Sequence, residues 1–199
     1  MKSSTSIILV IIALLISSCD DSSSEELPLF DYSNPKIGWT IKVPSGWKKN
    51  SLREVIEKNG AGIEAMEGAT DNEIDLASIN YSLNFQKDDL NVFQSVYEPF
   101  LENEPGLWEK NNAAIKVLFA NVYEHQGIKI DTTTTSIEEV GGIPFMTYEI
   151  TMYEEGKPKL FQIFYSSYIK GFDFSVCLNY SSEENREELL SIWRRSKFN

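Results

Sequence analysis

The chain offers nucleophile and base chemistry few places to sit. Among 199 residues there is one histidine, His125, and there are two cysteines, Cys19 and Cys177. Histidine is the usual general base near neutral pH, and a reactive thiol needs an electropositive, accessible setting. A His125–Cys177 pair is therefore conceivable, but no third residue is placed to orient it. Cys177 alternates with Asp173, Ser175 and Asn179 on one side of an extended stretch. Under a helix it would be a small buried hydrophobe, and His125, near a helix end, would be structural or at the surface. One histidine excludes a histidine-based metal cluster. No calcium-type oxygen loop and no glycine-rich phosphate loop occur, so no metal and no cofactor is expected. Acidic doublets are frequent: Asp88-Asp89, Glu138-Glu139, Glu154-Glu155 and Glu183-Glu184. Neighbours on a strand point to opposite faces, which makes Glu138-Glu139 a poor acid–base pair. The other doublets fall at turns and helix starts, where acids cap or face water. Trp39, Trp47, Trp108 and Trp193 would line a ligand cleft or, more simply, fill a core.

Cys19 has a different context. It ends the run SIILVIIALLISSC, whose unbroken apolar part spans Ile7 to Ile16 after Lys2. A bilayer-spanning helix needs about 20 such residues. A basic start, a short apolar middle and the small residues Ser17 and Ser18 have the form of a secretory signal peptide. A buried core helix would carry polar residues at a 3.6-residue period, and this run carries none. After Cys19 come Asp20, Asp21, three serines, Glu25 and Glu26. That composition cannot bury enough apolar surface to fold. The expected organisation is a signal peptide over 1–18, an acidic flexible tether over 19–36, and one domain over 37–199.

The formal net charge is −12, and loss of Lys2 with the leader makes it −13. That balance argues against nucleic acid and against docking on anionic headgroups. With Cys19 set apart, no internal disulfide can form, so packing alone must hold the domain.

The elements follow from punctuation and periodicity. Trp39 to Val43 reads as a strand ended by the turn Pro44-Ser45-Gly46. Ser51 and Glu54 have capping-box spacing, with Leu52, Val55, Ile56, Ile63 and Met66 on one helical face. Ala77, Ile79, Tyr81, Leu83 and Phe85 alternate with polar residues as in a half-buried strand. Asp88 and Asp89 are expected to cap a helix carrying Leu90, Phe93, Val96 and Tyr97 and ended by Pro99. A second helix places Leu107, Ala114, Ile115, Leu118 and Val122 on its core face. Then comes a meander: a strand over 128–140, a turn at Gly141-Gly142, a strand with Met146, Tyr148, Ile150 and Met152, a turn at Glu155-Gly156, a strand over 160–169, a turn at Lys170-Gly171, and a strand with Phe172, Phe174, Val176, Leu178 and Tyr180. The last helix is predicted to open with Ser181 and Glu184 as a capping box and to bury Leu189, Leu190 and Trp193. Arg194, Arg195 and Lys197 stand at its C-terminal end, where they suit the helix dipole. Strands joined by tight turns are antiparallel, which makes the domain α+β.

Two resemblances follow. Ile16-Ser17-Ser18-Cys19 resembles a bacterial lipobox. The resemblance implies cleavage between Ser18 and Cys19, acylation of Cys19, and a lipid-anchored protein of the bacterial cell envelope. An aspartate just after the cysteine resembles an inner-membrane retention signal of some lipoproteins. The run Asp20, Asp21, Glu25 and Glu26 more closely resembles a surface-export signal of Bacteroidota-like lipoproteins, so the outer membrane and surface display are expected; a solvated spacer is the plain alternative. The opening GWTIKVPSGWK, the central helices, the meander and the closing FDFSVCLNYSSEENREELLSIWRRSKF together resemble the PsbP-like fold over residues 37–198. That resemblance implies an antiparallel sheet of about five to six strands with helices packed on its faces. The fold has no common set of functional residues, so none transfers. The expected function is a non-catalytic binding or accessory module for another envelope protein or a small ligand, held to the membrane through Cys19. The alternative is an envelope hydrolase with an unrecognised site near His125.

Overall fold

The computed structural model describes residues 30–58 and 80–199. Strands β1 (Phe30–Asn34), β2 (Trp39–Val43) and β3 (Lys48–Lys49) precede helix α1 (52–58). Then come β4 (Asn80–Gln86), β5 (Val92–Pro99), helix α2 (Leu107–His125), β6 (Lys129–Thr132), β7 (Ser136–Val140), β8 (Ile143–Glu154), β9 (Lys157–Ile169), β10 (Phe172–Tyr180), helix α3 (Glu183–Arg194) and β11 (Lys197–Phe198). One sheet has the order β1-β2-β11. The other runs β3-β4-β5-β10-β9-β8-β6, with β7 also on β8. Every pairing among the described residues is antiparallel. With the two-residue β3 set aside and β6 and β7 taken as one interrupted edge, the large sheet has six long strands. The fold is the expected α+β arrangement of an antiparallel sheet with helices on its faces.

Three two-residue turns build the meander, and both residues of each lie at positive φ, the conformation that matches strand twist. At Gly141 the requirement is also spatial, because a Cβ there would stand 2.7 Å from the Ser196 carbonyl oxygen.

The two faces of the large sheet differ in chemistry. Phe85, Phe93, Phe145, Ile163, Tyr165, Phe174, Val176 and Leu178 are buried together with Leu189, Leu190, Ile192 and Trp193 of α3 and with Trp39, Ile41 and Val43 of the small sheet. Trp193 meets the rings of Trp39, Phe145, Tyr165 and Phe198. The Trp39 indole donates to Ser196 Oγ at 3.0 Å, and Trp47 donates to Glu188 Oε1 at 2.7 Å. The opposite face carries polar rungs: Ser166 with Ser175 at 3.0 Å, Gln162 with Asn179 at 2.9 Å, and Asn84 with Gln94 at 3.1 Å. Helix α2 meets that face through Phe119 on Phe164 and through the Tyr123 hydroxyl on Gln162.

Several expectations are corrected. The helix expected after Asp88 is a turn followed by β5. Asp88 Oδ1 accepts from the Leu90 and Asn91 amides, and Phe93 and Ser95 alternate as buried residues between β4 and β10. Pairing on both edges outweighs the helical spacing of Leu90, Phe93 and Tyr97. Helix α3 is capped by Ser182, whose hydroxyl accepts from the Asn185 amide, because the Ser181 amide is committed to Asn91 Oδ1. A register shift at Ser82 sets Tyr81 opposite Val96 and Leu83 opposite Ser95, so the alternation of β4 changes face there. The single strand expected over 128–140 is split at residues 133–135. The Ser51–Glu54 capping box is present, and Lys48 and Ser51 hold the Glu54 carboxyl down at about 2. On α1, however, Val55 alone of Leu52, Val55 and Ile56 is buried; Ile63 and Met66 lie outside the described residues. Ala114 is exposed on α2, which buries Trp108, Asn112 and Val122. The tether expected to reach 36 overlaps β1, where Phe30 and Tyr32 alternate with Asp31 and Ser33 across only five residues.

Trp193→Ala is expected to lower stability by about 3–5 kcal/mol, the cost of removing a buried aromatic ring, measured by denaturant unfolding. Its Nε1 has no hydrogen-bond partner, so Trp193→Phe should cost clearly less.

Candidate functional site

The interruption between β6 and β7 opens a cleft beside α3. Thr132 opposes Ile150 and Ser136 opposes Thr147 on β8, so residues 133–135 leave the ladder. Their path is fixed. The Thr133 amide donates to the Glu149 carbonyl at 3.0 Å, the Glu149 amide donates to Thr133 Oγ1 at 2.9 Å, and Lys116 Nζ of α2 donates to the Thr133 carbonyl at 2.6 Å. Lys116 also lies 4.8 Å over the Tyr148 ring, and burial lowers its pKa.

Helix α3 supplies the wall. Arg186, Leu190 and Arg194 recur every four residues and so share one helix face. With Thr133, Ser136, Glu138, Thr147, Glu149 and Tyr165 they border an open cleft of about 190 Å³. Both arginines are already paired. Arg194 Nε lies 2.8 Å from Glu138 Oε1, and the Tyr165 hydroxyl donates to Glu138 Oε2 at 2.9 Å. Arg186 Nη1 lies 3.0 Å from Glu183 and 2.8 Å from Glu187. Burial, and then the Glu138 charge, push the Tyr165 pKa up; burial and Glu149 do the same to Tyr180. The Tyr165 phenol stays protonated as the donor to Glu138. The cleft can thus offer hydroxyls and oriented ion pairs to a polar ligand or to a partner's side chain.

The residues singled out in the sequence are not assembled into a site. His125 is exposed at the end of α2. The Cys177 thiol lies on the α2 side of the sheet and donates to Asn179 Oδ1 at 3.4 Å, and burial pushes its pKa up to about 12. The residue as a whole is only half-buried, but the thiol itself is desolvated. No hydrogen bond or ion pair joins the two among the described residues. Glu138 faces the cleft while Glu139 is exposed, the split expected of strand neighbours. Asp88 caps a turn, Asp89 and Glu154 pair with Lys58 and Lys159, and Glu183 opens α3. The four tryptophans are buried. Ser18, Cys19, Asp20, Asp21, Glu25 and Glu26 lie outside the described residues.

One buried acid was not foreseen. Asp173 of β10 is buried directly opposite Glu98 on β5 and Tyr168 on β9. Burial raises its pKa to about 6; the Trp108 indole opposes that shift and the Glu98 charge adds to it. Trp108 lies near enough to act on the carboxyl, but neither its Nε1 nor Asp173 Oδ1 makes a hydrogen bond of ordinary geometry. The alternation of β10 placed Asp173 on this face, and nothing in the sequence marked it as buried. The cleft arginines did leave a signal, the spacing Arg186-Leu190-Arg194 on one predicted helix.

No family model and no curated protein matches the chain. Among solved structures it is similar to the solution structure of cyanobacterial PsbP (CyanoP) from Synechocystis sp. PCC 6803. Identity is 12%, the match covers 92% of this chain and 99% of that one, and the TM-score is 0.57. The fold is PsbP-like.

Asp173 also sets a pH dependence. Its folded pKa of about 6 lies above the ordinary aspartate value of 3.8, so its contribution to stability is complete below that ordinary value and is lost as pH rises through about 6. Asp173→Asn and the parent chain should have similar stability near pH 4. Above pH 6 the variant should be the more stable, by on the order of 3 kcal/mol, as read from denaturant unfolding across the pH range. A constant difference would show that the Asp173 charge carries no such penalty.

Proposed function

We propose that the chain is a lipid-anchored envelope protein whose PsbP-like domain binds another envelope protein or a small polar ligand without turning it over. The observation that carries the reading is the cleft beside α3. Arg186, Arg194 and Glu138 are held in ion pairs and the Tyr165 hydroxyl donates to Glu138, an arrangement suited to recognition by hydrogen bonds. The lipobox-like Ile16 to Cys19 supports the anchor, since acyl chains contribute about 0.8 kcal/mol per buried CH₂ and more than one chain makes attachment stable. The acidic run after Cys19 supports an outer-membrane position with the domain displayed outward. A desolvated Cys177 thiol and an exposed His125 that does not touch it favour binding over nucleophilic chemistry.

Three measurements test this reading. Labelled fatty acid should enter the parent chain and not the Cys19→Ala chain; label in the variant would refute the anchor. Protease added to intact cells should shave the domain, and replacing Asp20, Asp21, Glu25 and Glu26 by Ser should reduce shaving. Thr147→Trp, which fills the cleft, should abolish photo-crosslinking from a probe at Ser136, whereas His125→Ala with Cys177→Ala should leave it and the cell phenotype unchanged. A phenotype lost in that double variant, with folding and crosslinking intact, would point to catalysis instead.

A further inference from the structure

Strand β3 and the start of α1 lie beside the point where the N-terminal chain enters the fold. Lys49 Nζ sits 5.8 Å over the ring of Phe30, the first residue of β1, and 5.7 Å over that of Tyr32. Phe30 also meets Phe85 of β4, the strand on which β3 pairs. On α1, Leu52 and Ile56 stand one turn apart and are 58% and 50% exposed, while Val55 between them is buried. Arg53 is beside them, with its side chain 86% exposed, and Lys48 and Lys49 precede them.

The charge of this region differs from that of the chain. Lys42, Lys48, Lys49, Arg53 and Lys58 stand against Asp31, Glu54, Glu57 and Asp89, each of which pairs with one of them. Among the described residues this region is close to neutral, whereas the whole chain has 18 basic and 30 acidic residues.

We propose that exposed Leu52 and Ile56, rimmed by Lys48, Lys49 and Arg53, form the surface on which the domain lies against the bilayer that holds Cys19. The proposal rests on the anchoring reading above. Only residues 20–29 separate Cys19 from Phe30, and at most about 3.6 Å per residue they keep Phe30 within about 40 Å of the lipid. A domain tethered so closely meets the membrane at high effective concentration, so the surface needs little affinity of its own. Two aliphatic side chains can enter the headgroup boundary while lysine and arginine stems extend to the polar layer. The strongly acidic remainder is repelled by anionic lipid, which leaves this near-neutral face to turn inward. The expectation drawn from total charge, that the chain avoids anionic headgroups, is thereby limited to the rest of its surface.

The fold provides an internal control. Ile137 of β7 is 72% exposed, but β7 lies at the opposite end of the sheet from β3, six strand spacings or about 30 Å away. A photoreactive benzoylphenylalanine at position 52, 56 or 137 of the full-length protein, illuminated in native membranes, reads the contact directly. Lipid adducts at 52 and 56 should exceed those at 137 several-fold, and Leu52→Ser should reduce adduct formation at 56. Equal yields at 137, protein adducts in place of lipid at 52 and 56, or no adduct at either in protein that carries labelled fatty acid would overturn the proposal. Protein without fatty acid that does not sediment with membranes would remove the anchoring reading, and the docking surface with it.

Discussion

The hydrogen bond from the Trp39 indole to the Ser196 hydroxyl joins residues 157 positions apart inside the core. It is one part of a constraint that governs the fold, namely that the small sheet exists only when both ends of the described domain meet. β2 takes β1 on one side and β11 on the other. The rings of Trp39, Phe93, Phe145, Phe174, Trp193 and Phe198 then interlock between this sheet, α3 and the large sheet. Such edge-on and offset ring contacts stabilise beyond simple area burial. With no disulfide among the described residues, this cluster is what fixes the relation of the two sheets.

The two faces of the large sheet divide the work. The aromatic face is dry and packed, and it sets the position of α3, hence of Arg186 and Arg194. The other face buries amides, hydroxyls, the Cys177 thiol and the Asp173 carboxyl beneath α2. Buried polar groups cost free energy unless they are paired. Most here are paired across strands, side chain to side chain, a geometry that requires correct register. Asp173 Oδ1 and the Trp108 indole are exceptions, and burial of the carboxyl shows as a raised pKa.

The sequence made the meander legible because three two-residue turns and strict alternation agree with each other. It also showed the core of α3, since Leu189, Leu190 and Trp193 match a helical stripe. It misled at Asp88–Pro99, where an aspartate pair and a 3–4 spacing imitate a capped helix while Val92, Phe93, Val96 and Tyr97 suit a strand equally well. Tertiary pairing on both edges decides such a segment, and pairing is not a local property. The cleft was hidden for a related reason. Its lining comes from the link after β6 and from β7, β8, β9 and α3, and the break at residues 133–135 is set by hydrogen bonds to Glu149 and Lys116 that no spacing reveals.

The pairing of β11 with β2 has a kinetic meaning. Each residue of β11 closes a loop of more than 150 residues with its partner on β2, as in the register of Lys197 with Thr40. Loop-closure entropy must be met before such a contact stabilises anything, and folds rich in distant pairings form slowly. A chain that emerges amino end first presents β1 and β2 long before β11 and α3 exist to complete their surroundings. Until α3 and β11 arrive, Trp39, Ile41 and Val43 lack a large part of the core they enter. Such exposed intermediates are prone to aggregate. The β1–β2 hairpin is therefore the part of the domain whose surroundings are completed late.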